Sequence, residues 1–207
     1  MREVTPTRSA ALELADERRL MRQGYEFLDE KRVLLATEML RQLRAYRERS
    51  ERVAAELKLA AGALATAVER HGLDDLQVYP VPPVPTSSPA SDRKRFLGVP
   101  LLTIGAFAET ASVPPQAIDP SPEARACRAA FERLLRAAAE MGVVAGNLYR
   151  LAREYRRTER RAKALENVLL PEVEEAMKRI DEQLDTLDRE DTIRARWSRG
   201  DGARPSS

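Results

Sequence analysis

Apolar residues in the second half of the chain recur at alternating steps of three and four, the spacing of a coiled-coil seam. The inward positions predicted there are Leu148, Leu151, Tyr155, Thr158, Ala162, Leu165, Leu169, Val173, Ala176, Ile180, Leu184 and Leu187. Up to Leu165 the steps follow heptads, and beyond it they follow eleven-residue repeats, for which a left-handed supercoil relaxes. The pattern predicts one long helix that straightens toward its C-terminal end.

The N-terminal part of the chain supplies a partner for this seam, because it keeps the same alternation. The predicted inward positions are Leu14, Arg18, Met21, Tyr25, Leu28, Arg32, Leu35, Met39, Gln42 or Leu43, Tyr46, Ser50, Val53, Leu57, Ala60, Leu64 and Ala67. Two long helices joined by an insert pair most economically as an antiparallel hairpin, which brings both termini to one end.

Capping signals delimit these helices. Thr5-Pro6 has the cap-then-proline order of a helix start, and Ser121-Pro122-Glu123 repeats it with an acidic first turn. His71-Gly72 is a candidate stop for the first helix. We therefore predict an N-terminal coiled-coil helix over 1–72, an insert over 73–121, a C-terminal coiled-coil helix over 122–197 and a disordered tail over 198–207.

Ten of the 13 prolines lie in the stretch from Val78 through Pro122, and this density excludes a long helix there. Val78–Pro89 has the composition of an extended polyproline-like segment. Phe96–Ile104 is apolar, β-rich and bounded by Gly and Pro, which predicts one or two short strands of a hairpin that needs packing to be stable. The predicted fold is α-dominated: a long antiparallel two-helix coiled-coil hairpin with a small Pro-rich, β-hairpin insert at the end away from the termini.

Glycine and proline inside the helices need a structural reason. Gly24 and Gly62 are candidates for close helix contact, and Gly142 and Gly146 for packing against Ala54 and Ala55. Pro171 removes a helical N–H and crowds the carbonyl four residues earlier. The helix register places Gly24 near Pro171, so the interpretations are a kink relieved by this glycine or a functional curvature.

Composition argues against catalysis. Aromatic residues make up 5% and charged residues 33% of the 207 residues, a balance typical of long helices. The sequence has one cysteine, Cys127, and one histidine, His71, which excludes an intrachain disulfide and any site with several Cys or His ligands. This cysteine usage indicates a reducing cytosol. Phosphate-loop, dinucleotide and H-E-x-x-H motifs are missing from the sequence. We predict no catalytic residue, no cofactor and no metal, and membrane association only through other proteins.

Two basic groups stand out on the predicted helices. Arg150, Arg153, Arg157 and Arg160, with Arg156 and Lys163, share the face away from the seam, and Arg189, Arg194, Arg196 and Arg199 surround Trp197 near the C-terminus. A solvated face, a protein partner and nucleic acid are the three interpretations of the first group. The net charge of only +2 disfavours nucleic acid.

Several stretches resemble the D subunit of the V-type (A/V-type) proton-translocating ATPases. They are Val4–Arg8, Gly24–Leu28 with Lys31-Arg32, the run from Arg160 to Pro171, and Arg189-Glu190-Asp191. The resemblance covers about residues 4–48 and 122–197. Lys163 departs from the family, which often has Asn at this position.

The resemblance implies a non-catalytic rotor in the central stalk, coupling ATP hydrolysis or synthesis to proton or sodium transport. Its termini would enter the ring of catalytic A and non-catalytic B subunits, with Arg8, Arg189, Arg194, Arg196 and Trp197 as candidate ring contacts. Its lower part would bind the small F subunit of the stalk and a socket subunit above the membrane ring.

The candidate contacts to the F subunit or the stator are Arg150, Arg153, Arg157 and Arg160. The expected location is peripheral, on the cytoplasmic face of the membrane, without nucleic acid. The alternatives are a cytosolic coiled-coil scaffold and a coiled-coil nucleic-acid-binding protein that uses the basic band from Arg150 to Lys163.

Overall fold

In the computed structural model of the protein, residues 7–77, 93–103 and 121–201 are described. In chain order the elements are helix α1 (Arg8–Gln77), strands β1 (Arg93–Phe96) and β2 (Val99–Leu102), helix α2 (Pro122–Ala164), a π-helical segment (Leu165–Leu169) and helix α3 (Leu170–Asp201). The predicted fold class, long antiparallel helices with a small β-hairpin insert, is confirmed. The predicted polyproline-like segment Val78–Pro89 lies outside the described residues.

The chain forms two compact units. The terminal unit comprises residues 1–32 and 156–207, and the central unit comprises residues 33–155. In the terminal unit Arg8 pairs with Asp188 at 3.4 Å, and Gly24 lies against Leu165. The first turns of α1 therefore run antiparallel to the π-helical segment and α3.

Helix pairing in the central unit is also antiparallel. Arg52 pairs with Glu140 and Arg70 with Glu123. Both ion pairs lie at the register that the helix ends predict. Each is largely exposed on its arginine side, so it orients the helices more than it stabilises them.

Both helix starts are capped by hydroxyl side chains. Ser121 is the cap of α2 as predicted, because its Oγ accepts the Ala124 N–H at 3.1 Å. For α1 the cap is Thr7 rather than Thr5, with the Ala10 N–H donating to its Oγ1 at 3.2 Å. Thr5 itself lies outside the described residues.

Gly72 interrupts α1 as its position after the seam predicts. Its φ of 74° and ψ of 166° are non-helical and belong to a region that is essentially open to glycine alone. A short helical stretch then continues to Gln77. His71 bonds to the Ser121 hydroxyl at 2.6 Å, so it contacts the cap of α2.

Alanines form the seam where α1 approaches the first half of α2. Ala60 and Ala67 are fully buried, and Ala130 and Ala137 are 2% exposed. Small side chains at seven-residue spacing let two helix axes come close. Because the alanines occupy the contact, Leu57 lies beside it and is 55% exposed, although the pattern predicts it inward.

In the terminal unit the core consists of Ala10, Leu14, Val173 and Ile180. From Leu14 onward these positions follow the predicted seam. Leu169 does not, since it is 38% exposed.

The π-helical segment explains the exposure of Leu169. Its wider turn is closed by the Leu170 N–H donating to the Leu165 carbonyl, and it ends just before Pro171. The extra residue turns Leu169 out of the seam and relaxes the helix where the proline ring would crowd the Asn167 carbonyl. The predicted run of eleven-residue repeats is therefore interrupted here.

The helix glycines do not serve close packing as predicted. Gly24 faces Leu165 rather than Pro171. A Cβ added at Gly24 would lie 3.8 Å from Leu165 Cδ1, which is an ordinary van der Waals distance. A Cβ at Gly62 or Gly142 would meet no atom within 4 Å, and one at Gly146 would meet only the Arg150 guanidinium. The predicted packing of Gly142 and Gly146 against Ala54 and Ala55 is wrong, and the π-helical turn accommodates Pro171.

The two strands lie against the helices. Val99 and Leu101 of β2 are buried with Leu35 of α1 and Leu151 of α2 in one apolar cluster. The insert connects the end of α1 to the start of α2, and chain order therefore suggests that the strands lie there. Leu35 and Leu151 are many helical turns away from those two helix ends, so the strands pack on the helices at a distance from the connection. Leu35 and Leu151 offer there the apolar surface that so small a hairpin needs.

Burial of the seam predicts unequal costs for two leucines. Leu151 is fully buried, so Leu151→Ala should lower the free energy of unfolding by about 2 to 5 kcal/mol. Leu169→Ala is the matched control, and its partly exposed side chain should cost about 1 kcal/mol or less. Urea unfolding followed by circular dichroism measures both, and equal losses would contradict the assigned seam.

Candidate partner-binding surfaces

The β-hairpin turns through two residues with positive φ. Leu97 has φ 48° and Gly98 has φ 89°, the signs of a type I′ turn, whose twist matches that of paired strands. The register places Phe96 opposite Val99 and Arg95 opposite Pro100. Leucine in this conformation costs about 1 to 2 kcal/mol, which the packing of the strands on the helices offsets.

Asn147 attaches this hairpin to α2. The side chain is 4% exposed, its Nδ2 donates to the Leu102 carbonyl at 2.8 Å, and its Oδ1 accepts the Leu102 N–H at 2.9 Å. The Asn147 amide thus takes the place that a third strand would have at the outer edge of β2. A buried helical asparagine satisfies two backbone groups that the hairpin leaves unpaired.

Arg150 supports the same contact. Its Nη1 donates to Asn147 Oδ1 at 2.8 Å. The predicted outward position of Arg150 is therefore only partly free, because the guanidinium lies over the base of the hairpin.

Glu38 forms a second buried polar group beside the strands. Arg41 binds both carboxylate oxygens at 2.7 Å, and Gln42 donates to Oε1 at 2.8 Å. The Arg41 hydrogen bonds lower the pKa of Glu38 most, burial opposes them, and the Gln42 bond and the charges of Arg41 and Lys94 lower it further. The Glu38 carboxylate is therefore kept ionised by side chains of its own helix, α1.

At the chain ends, the terminal unit has an open groove. Arg8, Asp188, Asp191, Thr192, Ala195 and Arg196 line it. Its charged walls are largely exposed, and Arg8 reaches Asp188 across it. The predicted ring contacts Arg8 and Arg196 thus lie together.

Next to it lies a more apolar surface. Trp197 is 80% exposed and Ile193 is 56% exposed, and Glu190 and Arg194 complete the lining of a shallow groove. Arg194 also pairs with Asp191 at 3.5 Å, and Arg189 is exposed. An exposed tryptophan one turn from an exposed isoleucine is typical of a surface that a partner covers.

The predicted basic band divides between the units. Arg150 and Arg153 belong to the central unit, and Arg157 and Arg160 belong to the terminal unit. Arg153, Arg157 and Arg160 are exposed, away from the seam. In each unit these arginines are available to an acidic partner surface.

Several observations bear on catalysis and membranes. Burial raises the pKa of the Cys127 thiol, which disfavours a reactive thiolate. Within residues 7–77, 93–103 and 121–201, no group of three or more His, Cys, Asp or Glu side chains is placed to hold a metal ion. No helix in these ranges is long and apolar enough to cross a bilayer.

Sequence reasoning missed Asn147 and Glu38. Both are polar residues at inward or flanking positions of a heptad pattern, which is the available signal. Their partners come from a distant strand and from neighbouring helical turns, so the pattern shows a buried polar group but not what it binds.

Long antiparallel helices with capped starts and an attached two-stranded β-hairpin define an α-helical hairpin protein. The family model for the D subunit of ATP synthase matches residues 10–200. The chain belongs to this ATP synthase D-subunit family, and the resemblance found in its motifs is confirmed.

Individual relatives cover nearly the whole chain. The D subunit of the V-type ATP synthase of Thermotoga neapolitana is 27% identical to this chain, and the alignment covers 92% of this chain and 94% of the relative's chain. The D subunit of the A-type ATP synthase of Thermococcus gammatolerans is 30% identical over 92% and 91%. The D subunit of the V-type ATP synthase of Anaeromyxobacter dehalogenans 2CP-1 is 30% identical over the full length of both.

The Asn147 contact predicts a local effect of mutation. Asn147→Ala leaves the Leu102 N–H and carbonyl without partners, which should cost about 1 to 3 kcal/mol and speed amide exchange in both strands while helix content is retained. Arg153→Ala is the control, because Arg153 is exposed on the same helix and takes no part in the Asn147–Leu102 contact. Hydrogen exchange measured by mass spectrometry tests this, and unchanged exchange in Asn147→Ala would contradict the anchoring role.

The lowered pKa of Glu38 predicts a pH dependence. Its stabilising contribution is complete above the pKa of glutamate in the unfolded chain, about 4.3, and is lost as the pH falls through the lower pKa of the folded state. Glu38→Gln should therefore flatten the decline in stability between about pH 5 and pH 3. Urea midpoints of both proteins across this range measure it, and parallel curves would show that Glu38 is not the titrating group.

Proposed function

We propose that this protein is the non-catalytic central-stalk subunit of a V/A-type ATP synthase. It couples ATP hydrolysis or synthesis in a ring of A and B subunits to proton or sodium transport. The observation that carries the proposal is the match to the ATP synthase D-subunit family over residues 10–200. The paired helices support it, since a torque-bearing element must be stiff and must bury its own seam.

The candidate ring-binding surface is the tip formed by Arg8, Arg189, Arg194, Arg196 and Trp197. Trp197 is 80% exposed, and Arg8 and Arg196 line the same groove. An aromatic anchor among charged groups is the composition of an interface hot spot with a polar rim. This tip contacts the A and B subunits in the proposed complex.

The candidate surface for the F subunit or the stator is the set Arg150, Arg153, Arg157 and Arg160. Arginine suits a protein partner there because its planar guanidinium binds carboxylates in two places. Arg150 is the exception in this set, since it already donates to Asn147. The socket subunit and the cytoplasmic side of the membrane follow from the same proposed complex, in which the chain reaches the membrane through its partners.

Reconstitution with the A and B subunits tests the proposal. Trp197→Ala should reduce capture of the A/B ring by about tenfold or more, because hot-spot truncations cost about 2 kcal/mol or more. Tyr149→Ala is the matched control, since Tyr149 is an aromatic residue 71% exposed on α2. Helix content by circular dichroism should be unchanged in both.

Crosslinking separates the rotor from a scaffold. Cysteines at Arg8 and Arg194 should crosslink to A or B subunits, whereas a cysteine at Leu97 should not. Absence of any ring capture by the unmodified chain would contradict the central-stalk role, and crosslinks from Leu97 alone would reverse the proposed orientation.

A further inference from the structure

The two outer edges of the β-hairpin are chemically different. With a two-residue turn, Phe96 and Val99 exchange hydrogen bonds, as do Lys94 and Leu101, so the backbone groups of Arg95, Pro100 and Leu102 point outward. The bonds from Leu102 to Asn147 agree with this alternation. Each strand therefore has one outer edge with a defined set of donors and acceptors.

The outer edge of β2 cannot accept another strand. Pro100 has no N–H to donate, and both backbone groups of Leu102 are bound by Asn147. Proline on an edge strand and coverage by a neighbouring element are among the ways in which proteins block sheet edges.

Among the residues that the structure describes, none covers the outer edge of β1. The Arg95 N–H and carbonyl point away from β2, and no described residue hydrogen-bonds to them. Strand β1 is held in place by its pairing with β2, whose Val99 and Leu101 are buried against the helices. A strand that adds here would meet a preformed template.

The charges around this edge select the partner. Lys94 and Arg95 lie on opposite faces of β1. Lys94 is close enough to Glu38 on α1 to lower its pKa, and the exposed Arg41 binds the same carboxylate. The Glu38 carboxylate beside them is already bound by Arg41 and Gln42. The edge therefore has an excess of positive charge that an acidic partner would balance.

We propose that the β1 edge binds an acidic, extended segment of a partner protein by strand addition. The segment pairs with the Arg95 N–H and carbonyl and places carboxylates beside Lys94 and Arg95. Backbone pairing supplies the geometry, and the basic side chains supply the preference for acid. The inference concerns the isolated chain and does not depend on the proposed rotor function.

Peptide binding to the full-length chain tests this inference. The probe is a fluorescein-labelled Glu-Val-Glu-Val-Glu peptide, followed by fluorescence anisotropy, and the control peptide has the same sequence with alternate backbone nitrogens methylated. Binding of the first and at least about tenfold weaker binding of the second is expected, because methylation removes the ladder hydrogen bonds but keeps the charge. Equal binding of both, or none of the first, overturns the proposal.

A matched pair of variants separates backbone from charge. Arg95→Gln removes the cation, and Arg95→Pro removes the cation and the outward N–H without touching a bond to β2. Binding should weaken about three- to tenfold in Arg95→Gln and by at least a further tenfold in Arg95→Pro. Equal effects overturn strand addition, provided that circular dichroism shows both variants folded.

Hydrogen exchange distinguishes other occupants. The Arg95 amide should exchange fast in the free chain and slowly with the peptide. Slow exchange in the free dilute chain would mean that the chain itself fills the edge, and protection that grows with protein concentration would mean a second copy does. Tighter binding of a single-stranded oligonucleotide than of the peptide would assign the basic strand to nucleic acid, and each of these results overturns the proposal.

Discussion

The contact between Leu35, Leu151 and strand β2 is the interaction on which the placement of the β-hairpin in the central unit depends. Two strands of four residues cannot stay folded alone in water. Once Val99 and Leu101 are buried on these leucines, the Asn147 amide is brought to the β2 edge and the β1 edge is fixed in orientation. Burial of a few apolar side chains therefore organises the polar contacts around them.

The composition of the buried seam differs between the two units. In the central unit it includes the alanines Ala60, Ala67, Ala130 and Ala137, and in the terminal unit it includes Leu14, Val173 and Ile180. Beside the alanines, the larger Leu57 is 55% exposed. An exposed leucine beside an alanine seam is thus a consequence of packing and also an apolar surface available to a partner.

The π-helical segment reconciles Pro171 with a continuous helix. A regular turn would bring the pyrrolidine ring against a carbonyl, and the wider turn relieves this contact at the cost of shifting the seam by one position. The Tyr25 hydroxyl lies by Glu166 in this segment, and the carboxylate raises the pKa of Tyr25. In this chain the run from Arg160 to Pro171 therefore contains a backbone irregularity within an otherwise continuous helical stretch.

The exposed ion pairs between the helices contribute little to stability. The ion pairs at Arg8, Arg52 and Arg70 each have an arginine that is more than half exposed, and such pairs contribute about 0 to 1 kcal/mol. Buried Glu38 and Asn147 are different, because removing their partners would leave desolvated polar groups. The distinction separates charges that a partner can use from those already committed to the fold.

The sequence by itself determined the two long helices, their antiparallel pairing, the Ser121 cap, the break at Gly72 and the family, because periodicity, capping and motifs are local signals. It did not reveal strand β1, since Arg93-Lys94-Arg95 lacks the alternation of a half-buried strand. Tertiary structure decided that Asn147 anchors the hairpin, that Leu169 turns outward and that Gly142 faces open space. These outcomes depend on contacts between residues far apart in the chain and on one inserted helical residue, and periodicity carries no information about either.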